Sequence, residues 1–166
     1  MKFKDLREFI AFLEGKKELR RIQAPVSCEL EISEIADRVI KRGGPALLFE
    51  NVTGYDVPVL INMYGTEQRT AWALGVEQLE DLAERVQGLL RLAQSPPEGL
   101  VNKLRTLGQL VHLGSFQPKT VRSGPCQEVV LHGDEVDLNR FPILKCWPLD
   151  GGRYITLPLV ISRNPE

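Results

Sequence analysis

The residues that could carry chemistry in this chain are few, and they lie far apart. The thiols and imidazoles of the sequence belong to Cys28, Cys126, Cys146, His112 and His132. The cysteines form no CxxC pair, and the histidines do not lie at metal-ligand spacing from them. A reactive thiol needs a nearby base, and no base lies near Cys126 or Cys146 in sequence. The pattern therefore predicts free thiols in a reducing compartment and argues against a thiol-dependent enzyme.

The acidic and glycine-rich stretches also lack a recognised catalytic spacing. The chain contains no GxGxxG, GxxxxGK(S/T), HExxH or GxSxG motif. The "GDEVDL" stretch at 133–138 places three acids beside a turn, but it lacks the ligand spacing of an EF-hand calcium loop. Gly43 and Gly44 follow a predicted helix, where glycine is an ordinary helix stop. Residue chemistry alone thus predicts no catalytic site.

The charge balance limits the classes of partner. The chain has 166 residues, of which 43% are hydrophobic and 26% charged, and its net charge is −1. Without a basic excess there is little to attract nucleic acid phosphates. No apolar run reaches the roughly 20 residues that span a bilayer, and the first residues lack the apolar core of a signal peptide. The composition predicts a cytoplasmic protein with no nucleic acid partner and no transmembrane segment.

The elements that must position any site follow from the hydrophobic pattern. Helical periodicity predicts helices over 5–14, 32–40, 66–75, 77–93 and 100–110. Asp5 and Glu8 have the spacing of a capping box at the first helix. The "ELRRIQAPV" stretch predicts a short strand that ends at Pro25. Two apolar runs, 46–49 and 57–63, are joined by a connector too short for a parallel crossover, so they predict either an antiparallel pair or a turn to a new layer.

After Gly114 the pattern changes to turn signals between short β-prone runs, which is typical of small barrels and sandwiches. About 50 residues are too few to close a barrel. The fold class is therefore predicted to be α+β. An N-terminal α/β domain covers 1–115, and the first strands of an incomplete β-domain cover 116–166. Trp147 is predicted to be buried, because aromatic side chains dominate core burial.

Three blocks of sequence, taken together and in order, resemble one known family. They are "GGPALLFEN" at 43–51, "GPCQ" followed by "DLNRFPI" between 124 and 143, and "CWPLDGGRYIT" at 146–156. The set resembles the N-terminal portion of the UbiD-type decarboxylases, and the resemblance extends over nearly the whole chain. One position differs, because Leu149 stands where these proteins often have an acid before Asp150. That difference bears on a turn.

The resemblance implies a fold and an activity. In this family an N-terminal α/β domain precedes a split β-barrel of the flavin-reductase type, and a C-terminal domain supports homo-oligomers. The members add or remove CO2 on aromatic and α,β-unsaturated acids through an adduct with prenylated FMN, held with Mn2+ and often K+. Those similar to this chain decarboxylate a hydroxylated aromatic acid in ubiquinone or menaquinone biosynthesis. The implied partners are the aromatic acid and the flavin, with peripheral membrane association if the acid is polyprenylated.

Carried over residue by residue, the resemblance gives one candidate cofactor contact. Thr156 could offer its hydroxyl to the flavin pocket, although threonine is also a common strand residue. The family's catalytic and metal-binding residues are expected beyond Glu166, so these residues alone are expected to be inactive and to bind no cofactor. The alternative is a stand-alone, non-catalytic interaction or oligomerisation module. That alternative needs the segment after Gly114 to pair with another chain or to fold back on the α/β domain.

Overall fold

The computed structural model describes residues 3–94, 118 and 120–157. Its contacts divide the chain into two compact units. The first unit runs to Leu79 and resumes at Asp137, and the second is Glu80–Val136. The predicted domain boundary at residue 115 and the helix predicted over 100–110 lie outside the described residues, so both stay predictions.

The first unit is built on a three-stranded sheet. Its strands lie in chain order, and they are β1 (Leu19–Ile22), β2 (Ala46–Phe49) and β3 (Val59–Ile61). β1 and β2 are parallel, whereas β2 and β3 are antiparallel, which is one of the two arrangements predicted from their short connector. A parallel pair needs a long crossover, and helix α2 (Glu31–Ile40) supplies it. Of the two predicted arrangements, the antiparallel pair is the one that forms. The parallel pairing of β1 with β2 was not predicted from the sequence.

Helices cover both faces of this sheet. They are α1 (Leu6–Gly15), α2 and α3 (Glu67–Ala73). On one face Leu47 and Phe49 pack in a core cluster with Ile32 of α2. On the other face the alternate residues of β2 form a second cluster with α1, and Trp72 of α3 packs against it. Because both faces are covered, every residue of β2 is buried.

The helix ends follow the sequence signals closely. The carboxylate of Asp5 accepts a hydrogen bond from the Glu8 amide at 3.0 Å, while the Glu8 carboxylate accepts from the Lys4 amide at 2.9 Å. The predicted cap is therefore present, but its return bond reaches Lys4 instead of Asp5. Beyond α2 and α3, Gly43 and Gly75 have φ values of 63° and 74°, so glycine supplies the left-handed conformation after each helix.

The later part of the chain is less regular than the sequence predicts. Helix α4 (Leu79–Gln94) confirms the long helix predicted over 77–93. Within 120–157 the described backbone forms 3-10 turns at Pro125–Gln127, Gly133–Glu135 and Leu138–Arg140, together with isolated bridges. A strand forms only where a neighbouring strand accepts its hydrogen bonds, and in this range the pairing is confined to single residues. The predicted split barrel stays a prediction.

A charged triad joins α1 to the edge of the sheet. Arg21 in β1 donates from Nε to Oε1 of Glu14 at 2.7 Å and from Nη2 to Oε2 at 3.1 Å. Its Nη1 donates to Oε1 of Glu50 at 2.6 Å. The hydrogen bonds from Arg21 hold the pKa of Glu14 below its ordinary value of 4.5. The ionised form of Glu14 therefore favours the folded state.

This triad predicts a pH-dependent contribution to stability. Because the pKa of Glu14 is depressed in the folded state, its contribution is present above the unfolded-state value and disappears as the pH falls through the folded-state value. We expect Glu14→Gln to lower the melting temperature near neutral pH but to have little effect at an acidic pH below the lowered folded-state pKa of Glu14, where the Glu14 carboxyl is protonated. Thermal unfolding followed by circular dichroism measures the difference.

Glu34→Gln is the matched control, because Glu34 forms an exposed helical pair with Arg38 at a spacing of four residues. Such pairs contribute little, so this variant should change the melting temperature less near neutral pH. A Glu14→Gln effect of equal size at both pH values would contradict the role assigned to the triad.

Candidate functional site

The segment that leads to the candidate cofactor residue Thr156 is a hairpin, residues 144–154, held by hydrogen bonds within the first unit. Lys145 donates its amide hydrogen to the Cys28 carbonyl at 3.1 Å, and the Leu30 amide donates to the Lys145 carbonyl at 3.0 Å. Leu144 packs against the core cluster that contains Ile32. Leu30 itself has a φ of 67°, so the chain turns sharply where the hairpin joins it. The hairpin is thus part of the first unit.

A tight turn closes the hairpin. The Tyr154 amide donates to the Leu144 carbonyl at 3.0 Å at its open end. At the tip, Oδ2 of Asp150 accepts from the Trp147 amide at 2.9 Å, and the Asp150 amide donates to the Trp147 carbonyl at 3.1 Å. Asp150 alone therefore caps this turn, and Leu149 beside it is 98% exposed. The family's frequent acid before Asp150 is not needed to form the turn.

The exposure of Trp147 differs from the prediction made from the sequence. The prediction that it is buried is wrong, because its exposed fraction is 63%. Trp147 begins the turn at the tip of the hairpin, where side chains project away from the core. The general tendency of aromatic residues toward burial is outweighed here by this local position.

A contact between Tyr55 and Arg153 also holds the hairpin in place. Nη1 of Arg153 donates a hydrogen bond to the hydroxyl of Tyr55. The guanidinium carbon also lies 6.0 Å from the centre of the Tyr55 ring, within the range of a cation–π contact. The hydrogen bond to Tyr55 raises the pKa of Arg153 above its ordinary value. Arg153 is therefore a fixed cation beside the candidate residue, and sequence analysis did not identify it.

Thr156 itself is exposed and follows Arg153 by three residues. Arg153, Tyr154 and Thr156 lie on one short stretch, and the hairpin anchors the start of that stretch. The cysteines differ in exposure: Cys28 is buried and Cys146 is half-buried in the first unit, and Cys126 is exposed in the second unit. His132 is also exposed in the second unit, and His112 lies outside the described residues.

A second polar cluster is buried inside the first unit, around Arg69 of α3. Arg69 is fully buried, with Nη1 2.6 Å from Oε2 of Glu18 and Nη2 3.1 Å from the Gly44 carbonyl. Asn62 donates from Nδ2 to the same Gly44 carbonyl at 3.2 Å. A methyl group added at Gly65 would lie 1.6 Å from Oδ1 of Asn62, so this position needs glycine.

This cluster is structural in character. A buried guanidinium is stable only when paired and hydrogen-bonded, and Arg69 uses its bonds to tie α3 to the residues that precede β1 and β2. Sequence analysis missed it, because an arginine on a short helix resembles an exposed charge. The nearest signal was Asn62 followed three residues later by a glycine.

Two features are absent from the described residues, 3–94 and 120–157 with residue 118: a metal-binding cluster and a membrane-spanning helix. These residues contain no group of three or more His, Cys, Asp or Glu side chains that could hold a metal ion. Within the same ranges, every helix is too short or too polar to cross a lipid bilayer.

Comparison with known protein families gives two matches in chain order. Residues 10–87 match the 3-octaprenyl-4-hydroxybenzoate carboxy-lyase N-terminal domain. Residues 119–166 match the 3-octaprenyl-4-hydroxybenzoate carboxy-lyase Rift-related domain. The chain belongs to the UbiD family. The resemblance seen in the sequence is confirmed, and the UbiD matches cover both the α/β unit and the hairpin.

Individual relatives of this UbiD-family chain are much longer than it is. An uncharacterised protein of Archaeoglobus fulgidus is 49% identical over all 166 residues, which make up 33% of that protein. The vanillic acid decarboxylase of Sedimentibacter hydroxybenzoicus, in its closed form, is 26% identical with a TM-score of 0.64, covering 92% of this chain and 29% of the decarboxylase chain. An evolved dimeric form of the UbiD-class enzyme HmfF from Pelotomaculum thermopropionicum, in complex with prFMN, is 39% identical over 51% of this chain and 20% of its own, with a TM-score of 0.46.

The Tyr55–Arg153 contact predicts a measurable effect on the hairpin. We expect Tyr55→Phe to lower the free energy of unfolding, because it removes the hydrogen bond that the Tyr55 hydroxyl accepts from Arg153. The Lys145 and Tyr154 amides should then exchange with deuterium faster, since their hydrogen bonds hold the same hairpin. Hydrogen exchange followed by NMR measures both.

Tyr64→Phe provides the control, because Tyr64 lies over Phe9 of α1 and not at the hairpin. It should leave exchange of the Lys145 amide unchanged. If Tyr55→Phe also leaves that exchange unchanged, the Arg153 contact does not fasten the hairpin.

Proposed function

We propose that this chain is the N-terminal portion of a UbiD-type carboxy-lyase that decarboxylates a hydroxylated aromatic acid in quinone biosynthesis, for ubiquinone or menaquinone. The observation that carries the proposal is the match of two carboxy-lyase domains in order along the chain. The chain spans a third of the Archaeoglobus relative, so the activity is proposed for the longer protein. That protein is proposed to be a cytoplasmic homo-oligomer.

The proposed cofactor of the longer protein is prenylated FMN with Mn2+ and K+. When bound, the prenylated flavin supplies an electron sink for the bond that joins the carboxylate to the substrate. The described residues fit the rim of such a site and not its metal centre. Thr156 offers an exposed hydroxyl and Arg153 a fixed cation, whereas the described ranges contain no cluster of metal ligands. The catalytic and metal-binding residues are proposed to lie beyond Glu166.

In this proposal the chain's own residues position the flavin contact. The Cys28 and Leu30 backbone groups hold Lys145, and Tyr55 holds Arg153, so the stretch that leads to Thr156 starts from an anchored point. Thr156 can donate a hydrogen bond to an acceptor on the flavin or accept one from a donor. No proton transfer is assigned to any described residue.

The proposal predicts that these 166 residues alone are inactive. We expect the isolated chain to release no CO2 from hydroxylated aromatic acids and to show no visible flavin absorbance. A fusion that appends the unmatched two thirds of the Archaeoglobus relative should show both after co-expression with a flavin prenyltransferase. CO2 release and absorbance spectra measure the outcome. Decarboxylation by the isolated chain would contradict the placement of the catalytic residues.

Thr156 can be tested in the same fusion. We expect Thr156→Val to weaken flavin retention about fivefold, since a single hydrogen bond contributes about 1 kcal/mol. Thr156→Ser retains the hydroxyl and should retain most of the affinity. Thr120→Val in the second unit is the matched control. Flavin content after dialysis, read from absorbance, measures retention. Equal retention by Thr156→Val and the parent fusion would remove Thr156 from the site.

The second candidate is a stand-alone, non-catalytic interaction or oligomerisation module of the same fold. One observation favours it, because the hairpin folds back on the α/β unit through Cys28 and Leu30. The reading frame of the native gene distinguishes the candidates. A stop codon directly after Glu166 favours the module, and a continuation with Asn, Arg, His and Glu at family spacing favours the enzyme.

A further inference from the structure

Leu30, just before α2, has a backbone conformation that a bulky side chain rarely adopts. Its φ and ψ are 67° and −38°. Two other non-glycine residues in the described ranges have a positive φ, and each has an ordinary reason. Lys17 lies just past the end of α1, where a left-handed residue commonly ends a helix, and asparagine, as at Asn62, tolerates this conformation. Neither reason applies to Leu30, so its backbone is strained.

The strained residue is the centre of a three-residue turn, called here the Leu30 turn (residues 29–31). The Glu31 amide donates to the Glu29 carbonyl at 2.8 Å, which closes the turn around Leu30. A γ-turn whose central residue has a positive φ is rare and strained. Such a conformation persists only where the surrounding contacts impose it.

The hairpin and α2 both bond to Leu30. On one side, the Leu30 amide donates to the Lys145 carbonyl at 3.0 Å, and the Lys145 amide donates to the Cys28 carbonyl at 3.1 Å. On the other side, the Leu30 carbonyl accepts a hydrogen bond at 2.9 Å from the Glu34 amide, in the first turn of α2. One strained residue therefore links the docked hairpin to the start of the helix.

We propose that the Leu30 turn is a conformational switch that couples the hairpin to α2. The docked hairpin holds Leu30 at its positive φ, and release of the hairpin lets Leu30 return to a negative φ. The hairpin and the first turn of α2 then open together, as one local unit. Because the strain is relieved on release, it makes this opening more frequent than the bonds alone would allow. The switch is a property of the first unit and does not depend on the proposed activity.

Glycine and alanine at position 30 separate the strain from the packing of the leucine side chain. Both substitutions remove that side chain, but only glycine adopts a positive φ without strain. We expect the Lys145 amide to exchange with deuterium roughly tenfold more slowly in Leu30→Gly than in Leu30→Ala, because only the glycine variant relieves the docked state. The Glu34 amide should slow as well. Hydrogen exchange followed by NMR measures both amides.

The Gly44 amide is the internal control, because it bonds to the Val39 carbonyl at the far end of α2. It should exchange equally in the two variants. Equal exchange of the Lys145 amide in both variants would overturn the switch. A difference confined to the Glu34 amide would also overturn it, because glycine is preferred over alanine just before any helix. A uniform change at all three amides would report global stability and would overturn it too.

The coupling can also be tested from the hairpin side, with Leu30 unchanged. Tyr55→Phe removes only the hydroxyl that accepts the hydrogen bond from Arg153. We expect this variant to speed exchange of the Lys145 and Glu34 amides by about the same factor, since the two open together. Tyr64→Phe, at α1, is the matched control and should change neither amide. Faster exchange of the Lys145 amide alone would show that the hairpin opens without the Leu30 turn, and would contradict the switch.

The effect of the switch on cofactor binding rests on the proposed function. The hairpin leads to Thr156, so a hairpin that stays docked should hold Thr156 in place. In the fusion with the unmatched two thirds of the Archaeoglobus relative, we expect Leu30→Gly to retain severalfold more flavin after dialysis than Leu30→Ala. Equal retention, with different exchange rates, would support the switch and remove its link to the flavin. A parent fusion that holds no flavin would contradict the proposed function, whereas exchange of the Lys145 amide would still decide the switch.

Discussion

The first unit depends on the burial of β2 on both of its faces. Neighbouring residues of a strand face opposite sides of the sheet, so a strand covered on both sides needs apolar residues at every position. The four residues of β2, "ALLF", satisfy this condition. Leu47 and Phe49 face α2, while Ala46 and Leu48 face α1 and α3. Each helix is thereby assigned a face, and the crossover through α2 makes β1 parallel to β2.

Gly44, just before β2, connects this core to the buried polar cluster around Arg69. The Gly44 carbonyl accepts hydrogen bonds from both Arg69 and Asn62, and Arg69 also reaches Glu18 ahead of β1. One buried cation therefore joins α3 to the starts of two strands. Its burial is tolerated because two oxygens, Oε2 of Glu18 and the Gly44 carbonyl, accept hydrogen bonds from its guanidinium. The hairpin pairs with the chain just before α2, so residues 144–154 are fixed to the same core.

Much of the local structure could be predicted from the sequence. The cap at Asp5, the stops at Gly43 and Gly75 and the antiparallel β2–β3 pair all depend on neighbouring residues. The pairing of Lys145 with Cys28 could not be predicted, because single-residue bridges across more than 100 positions leave no periodic signal. The Tyr55–Arg153 contact and the burial of Arg69 were missed for a related reason, since each joins residues whose local patterns resemble an exposed turn or helix.

The sequence by itself determined the family, the α/β character of the first unit and the three motif blocks, because these properties reside in contiguous residues. It also identified Thr156 as the residue to test. The tertiary structure decided that the hairpin belongs with the first unit and that Trp147 and Leu149 are exposed. Burial and long-range pairing are properties of the folded surface. They depend on which segments meet in space, and composition and spacing along one chain do not specify that.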